Sequence, residues 1–248
     1  MKTKNLFGLL GLILLFGCEK EDLSYVYPKN AKLKRIEAYS PFVNKTSSMA
    51  YEYEYDKNRI SKVSLSMYEN GEKTYISNYE IYNYNTQGEL IKIENFHFNS
   101  GFTHNMNTIY TYLSNGKIEK KYIEHLQTNT FDYYLYKYEN GYLSKIEKYW
   151  DSDILGGYVK NDYDRSGNLI KETSYGKDNT QYSYTQHTYK NGLNIKSEIF
   201  SDTENKAPFR EILRTYDKNG NLIILESNEL SLVSSNASYV LRYEYFEE

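Results

Sequence analysis

The decapeptide Tyr163 to Glu172, YDRSGNLIKE, returns along almost the whole chain, and that recurrence limits the fold more than any other feature. The other copies are YDKNRISKV from Tyr55, YNTQGELIKI from Tyr84, YLSNGKIEKK from Tyr112, YENGYLSKIE from Tyr138, YKNGLNIKSE from Tyr189 and YDKNGNLIIL from Tyr216. Their anchor tyrosines lie 29, 28, 26, 25, 26 and 27 residues apart, the period of one supersecondary unit stacked on the next. Each unit sets a tyrosine run spaced by two, such as Tyr51, Tyr53 and Tyr55, against a second run such as Leu90, Ile91, Lys92 and Ile93. Spacing by two belongs to strands.

Asn, Asp, Ser and Gly stand between the two runs, as in Asp217-Lys218-Asn219-Gly220, and supply the positive φ angles and local hydrogen bonds of a tight hairpin turn. The acid of each Tyr-Asp pair (Asp56, Asp164, Asp217) therefore reads as turn chemistry, with no catalytic role. The chain starts and stops half a unit out of phase: Leu33 to Tyr39 matches a second strand and Tyr239 to Phe246 a first one. One strand, seven hairpins and a closing strand predict an all-β, antiparallel up-and-down meander of 14–16 strands over residues 33–248. A meander has two free edges, and closing it into a barrel removes both. A barrel this wide requires the tyrosine face to fill the interior, to line a wet cavity, or to let the barrel flatten into two layers. The alternative is an open, extended sheet. Glu52, Glu54, Lys137 and Glu139 on the other face exclude a membrane-spanning barrel, which needs an apolar outer band.

Residues 1–17 read as a signal segment: Lys2 and Lys4, then an apolar run from Leu6 to Phe16 too short to span a bilayer. Leu15-Phe16-Gly17-Cys18 resembles the lipobox of bacterial lipoproteins, which implies cleavage before Cys18 and its acylation, a membrane anchor. Cys18 is the single cysteine, so no disulfide forms. Residues 18–32 form a tether opening on Glu19, Lys20, Glu21 and Asp22, which resembles the export tag of Bacteroidetes lipoproteins. That implies the outer membrane, at the cell surface or, alternatively, on its periplasmic face. The formal charge of −3 argues against nucleic acid as a partner.

The Tyr-x-Tyr-Asp-x-x-Gly-Asn-Leu-x-Lys pattern around Tyr163 and Tyr216 resembles the YD repeats of the Rhs family of surface and toxin-shell proteins. With its lipobox, the chain more closely resembles Bacteroidetes lipoproteins of a domain family of unknown function with a porin-like fold. The resemblance implies an architecture and brings no catalytic residues. Arg59 replaces the turn glycine of the first unit, Tyr142 intrudes in the fourth, and the sixth lacks the Asn-Leu order.

The turns at one end are short and alike, whereas connections at the other vary: Asn70-Gly71 is tight, Asp151 to Gly157 longer, Ser201 to Ala207 polar and Asn228 to Asn236 longest. A ligand site belongs at the variable end, because loops change without disturbing the ladder. Trp150, Asp151, Asp153 and Tyr158 are its candidate binding residues; each also has a packing or solvated-loop reading. The histidines His97, His104, His125 and His187 lack metal-ligand spacing, and no metal or other cofactor is expected. No nucleophile elbow, P-loop or dinucleotide fingerprint occurs. The reading is a lipid-anchored, non-enzymatic envelope protein that binds a glycan or other ligand. The alternative is a scaffold for another envelope protein, signalled by an apolar loop patch of Ile154, Leu155, Leu230, Leu232 and Val233. A hydrolase ranks third.

Overall fold

The computed structural model describes residues 32–39, 49–98, 100–201, 207–230 and 239–246. The signal segment, Cys18 and the tether up to residue 31 lie outside the described residues, as do Leu232, Val233 and most or all of the three nine-residue connections, 40–48, 201–209 and 230–238. The strands are β1 (Leu33–Tyr39), β2 (Met49–Asp56), β3 (Arg59–Glu69), β4 (Glu72–Tyr84), β5 (Leu90–Phe98), β6 (Phe102–Tyr112), β7 (Ile118–His125) and β8 (Thr130–Glu139). They continue as β9 (Tyr142–Trp150), β10 (Ile154–Tyr163), β11 (Leu169–Gly176), β12 (Gln181–Lys190), β13 (Leu193–Phe200), β14 (Arg210–Tyr216), β15 (Leu222–Glu229) and β16 (Tyr239–Tyr245). Each pairs antiparallel with its neighbours in sequence, and β1 pairs with β16, so the meander closes into a sixteen-stranded barrel. The closing register sets Ile36 opposite Tyr243 and Glu37 opposite Arg242.

Every repeat hairpin carries a register shift at its anchor tyrosine: Tyr55, Tyr84, Tyr112, Tyr138, Tyr163, Tyr189 and Tyr216. A bulge leaves backbone groups out of the ladder, and the repeat supplies a partner for them. The hydroxyls of Tyr55, Tyr84, Tyr112, Tyr138 and Tyr163 donate to the carbonyls of Leu33, Ile60, Leu90, Ile118 and Leu143 at 2.6–3.1 Å. Tyr216 and Tyr245 do the same to Asn194 and Leu222. Each phenol thus reaches back to the preceding unit, which explains why the repeat keeps tyrosine and not phenylalanine. Tyr163→Phe keeps the ring but strips the carbonyl of buried Leu143 of this donor. It is expected to cost about 1–2 kcal/mol in urea unfolding; an unchanged midpoint would mean that water replaces the phenol.

The repeat acid behaves as turn chemistry. Asp164 accepts the amides of Ser166 and Asn168 through one oxygen and the Asn168 side chain through the other, and Asp217 does the same with Asn219 and Asn221. Those bonds, the Asn168 side chain foremost, hold the Asp164 carboxyl below the usual carboxylate range.

Strand alternation divides the barrel wall into two faces. The inner face carries two apolar clusters. One joins Leu33, Ile36, Ala38, Met49 and Leu241 to Tyr51, Tyr53, Tyr243 and Tyr245; the other joins Ile93, Tyr110, Ile118, Tyr136 and Leu143 to Tyr82, Tyr112 and Tyr138. The outer face carries ion pairs, including Arg35–Glu37 at 2.9 Å, Lys92–Glu94 at 2.9 Å, Lys145–Glu147 at 2.7 Å and Lys196–Glu211 at 2.8 Å. Such a surface faces water.

Two sequence expectations need correction. The tyrosines do not keep to one face: outside, Tyr79 stacks on Phe96, Tyr122 on Phe131, Tyr133 on Tyr149, Tyr158 on Tyr175 and Tyr184 on Phe200, with centroids 4.4–5.2 Å apart. All but one of these are directly opposed cross-strand pairs, the exception being Tyr122 with Phe131. The connection from Asp151 to Gly157 is also shorter than expected. Only Asp151–Asp153 leave the ladder, as one 3-10 turn, and β10 resumes at Ile154 with a bulge before Gly157.

Candidate functional site

Antiparallel order puts the seven repeat turns, the start of β1 and the end of β16 at one end of the barrel. The variable connections gather at the other, where the candidate residues sit. Trp150 ends β9 and is 45% exposed. It shares the inner face with Lys148, whose Nζ stands 3.7 Å from the centre of its ring. The indole presses on Gly156, where a Cβ would collide with Nε1. A Cβ on Gly157 would approach the Tyr175 carbonyl to 2.5 Å, so close contact requires both glycines.

The other candidates diverge from Trp150. Asp153, at φ 61°, accepts a hydrogen bond of 2.9 Å from Tyr133 on the outer face. Burial, then this carboxylate, pushes the Tyr133 phenol up to about 12. Tyr158 also faces outward, stacked on Tyr175, with Lys145 over its ring and its hydroxyl on Asn179 at 2.8 Å. Asp151 is exposed; burial, then the charge of Glu124, then that of Asp151 raise the Tyr122 phenol. One hairpin therefore splits the four residues between two faces.

Two inward-facing groups escape a reading of the sequence alone. The first is a polar chain across four strands. Glu172 on β11 meets His187 Nε2 on β12 at 2.9 Å, and His187 Nδ1 meets Ser197 on β13 at 2.8 Å. Arg214 on β14 donates to Ser197 at 2.8 Å and to Asn194 at 3.1 Å. Burial draws the Arg214 pKa down. The chain resembles an acid–histidine–hydroxyl relay, but Ser197 is 1% exposed and already takes a guanidinium hydrogen bond. Its oxygen is not placed to attack a substrate.

The second group is a row of directly opposed residues: Lys121 on β7, Tyr134 on β8, Lys148 on β9 and Gly157 on β10. The two ammonium groups stand 5.4 and 5.6 Å from the Tyr134 ring centre. Burial and the charge of Lys121 lower the Lys148 pKa, while Asp132 opposes the shift. Counting inward parity through each bulge is the signal that would have found both groups.

A third inward feature, a pocket of about 30 Å³, lies among Tyr51, Tyr53, Val63, Leu65, Asn78, Glu80 and Tyr82. Glu80 there accepts from Tyr82 at 2.8 Å and from Asn95 at 3.1 Å. The room suits a water. Among the described residues no three His, Cys, Asp or Glu side chains gather as a metal-binding set.

No protein-family model matches the chain, and no curated protein matches it either. Solved structures do. A porin-like protein from Bacteroides uniformis is 13% identical over 86% of this chain and 98% of its own, with a TM-score of 0.56. A second porin-like protein, from Bacteroides vulgatus, is 11% identical over 88% and 99%, with a TM-score of 0.38. At such identities the likeness to the first is one of fold: the chain closes into a barrel of the porin-like kind.

Proposed function

We propose that this chain is a lipid-anchored protein of the outer membrane, tethered through Cys18, whose barrel binds a glycan or similar ligand at its variable end without catalysis. The observation that carries the reading is the placing of Trp150, an exposed aromatic at the loop-end rim, directly beside inward-facing Lys148. An aromatic platform beside a cation offers stacking and charge to a polar ligand. Polarity of the barrel supports it: the chain enters β1 at the turn end, so a tether of residues 18–32 leaves the loop end pointing away from the anchor. Enclosure of Ser197 supports the non-enzymatic reading only for the Glu172–His187–Ser197 chain, and the absence of a catalytic motif in the sequence supports it elsewhere.

The test is a thermal-shift screen of residues 24–248 against host and microbial saccharides. A ligand that binds only the folded state must raise the melting temperature, by an increment that grows with concentration. A dose-dependent rise abolished by Trp150→Ala is the expected result; no rise across the panel would displace the binding reading. A scaffold is then the second reading, favoured by Ile154 at the start of β10 and Leu230 just after β15, 55% and 48% exposed at the loop end. For the anchor, Cys18→Ala is expected to shift the protein from the membrane fraction to the soluble one and to abolish labelling by fatty acid. Persistence in washed membranes would overturn it.

A further inference from the structure

Lys121 and Lys148 are out of keeping with the rest of the barrel. On the outer face, lysines such as Lys92, Lys145 and Lys196 sit within 3.0 Å of a carboxylate. Facing inward, Lys121 and Lys148 make no salt bridge and no hydrogen bond with any of the described residues, and their ammonium groups lie against the rings of Tyr134 and Trp150. Lys121 is just 7% exposed. Cations withdrawn from water are normally paired. Asp132, two residues before Tyr134 on β8, stands 3.5 Å from His125 and acts on Lys148 through its charge without a direct contact. Two like charges flanking one tyrosine ring repel each other, and what the described residues set against that repulsion is the charge of Asp132 and the rings of Tyr134 and Trp150, with no direct ion pair.

The next two positions of the row are Gly157 and Gly176, which put no side chain of their own beside Lys148, although a Cβ at either would meet Tyr175 or Tyr182. The row lies one inward residue below Trp150, and so just inside the loop-end rim.

We propose that Lys121 and Lys148 form an anion subsite inside the loop-end mouth, and that the ligand is an acidic saccharide whose carboxylate or sulfate bridges the two ammonium groups while its ring lies toward Trp150. Charge-assisted hydrogen bonds supply the strength, and the aromatic rim favours a sugar over a bare ion. This deepens the binding-module reading and rests on it.

The experiment is calorimetric titration of residues 24–248 with oligogalacturonides, a sulfated disaccharide and neutral galacto-oligosaccharides. Wild-type protein, Lys148→Gln and Lys121→Met are compared, with circular dichroism as the check of folding. Binding of one or both acidic probes, weakened roughly tenfold or more by each substitution, is expected, and the pair of acidic probes separates carboxylate from sulfate. Lys121→Met removes a buried, unpaired cation, so the unliganded variant should melt at or above the wild-type temperature. Equal binding of neutral and acidic probes would overturn the anion subsite and leave the binding module standing. So would acidic binding indifferent to Lys148→Gln, which would place the anion on the outer lysines. If no saccharide binds at all, both readings fall together.

Discussion

Cysteines placed together at Glu37 and Arg242 are expected to oxidise to an intramolecular disulfide and to raise stability by about 5 kcal/mol, the chain-entropy value for a loop of about 200 residues. The two residues are directly opposed across the β1–β16 seam and face outward. Opposed residues of an antiparallel pair have Cα atoms about 4.5–5.5 Å apart, within the range a disulfide spans. The substitutions themselves remove the Arg35–Glu37 pair at 2.9 Å, the Tyr39 hydroxyl bond to Glu37 and the Arg242 contact with Tyr39, half-buried interactions that each contribute about 1 kcal/mol or less. A rise in melting temperature of roughly 5–15 °C should remain, reversed by reductant. Residues 24–248 contain no native cysteine to compete. A pair at Glu37 and Glu94, on the same face but four strands apart, should stay reduced. A Glu37–Arg242 pair that never forms in a folded protein would mean that the seam is open and that β1 and β16 are free edges.

The seam is legible in the sequence because the chain begins and ends half a unit out of phase. Leu33 to Tyr39 and Tyr239 to Tyr245 are the halves of one hairpin that the chain never makes locally. The strands are legible for a related reason: each tyrosine run and turn is repeated, so a worn copy is corrected by its neighbours. Face assignment is not. The bulge at every anchor tyrosine inserts a residue, so a strict count by two fails beyond it. After inward Leu90 a count by two predicts that Lys92 faces inward, but Ile91 is the bulged residue, Lys92 pairs with Glu94 outside and Ile93 is the next inward side chain. Nor does nearness in sequence place a site in a strand hairpin: Trp150 points inward, whereas Asp153 and Tyr158 reach outer-face partners. Conversely, Glu172, His187, Ser197 and Arg214 come from four strands, and only their registers bring them together. Patterns that look for chemistry in short spacings cannot see such a set.

The inner wall makes a second strong demand on stability. Arg210 on β14 and Glu229 on β15 are directly opposed, their charged atoms 2.9 Å apart, with 15% and 8% of the side chains exposed. Arg210→Ala takes the guanidinium away from a buried carboxylate and is expected to destabilise the barrel by about 3 kcal/mol. In urea this would appear as a lower midpoint with an unchanged slope. The pair itself is a different matter. Arg210 Nε is buried with no hydrogen-bond partner among the described residues, so part of the guanidinium's lost hydration goes unrepaid. Arg210→Met combined with Glu229→Leu should therefore recover most or all of the loss and bring stability to the wild-type level or above it. A single Arg210→Ala variant within about 1 kcal/mol of wild type would mean that Glu229 is held by water or by its other contacts once the guanidinium is gone, and that the wall between β14 and β15 does not depend on this pair.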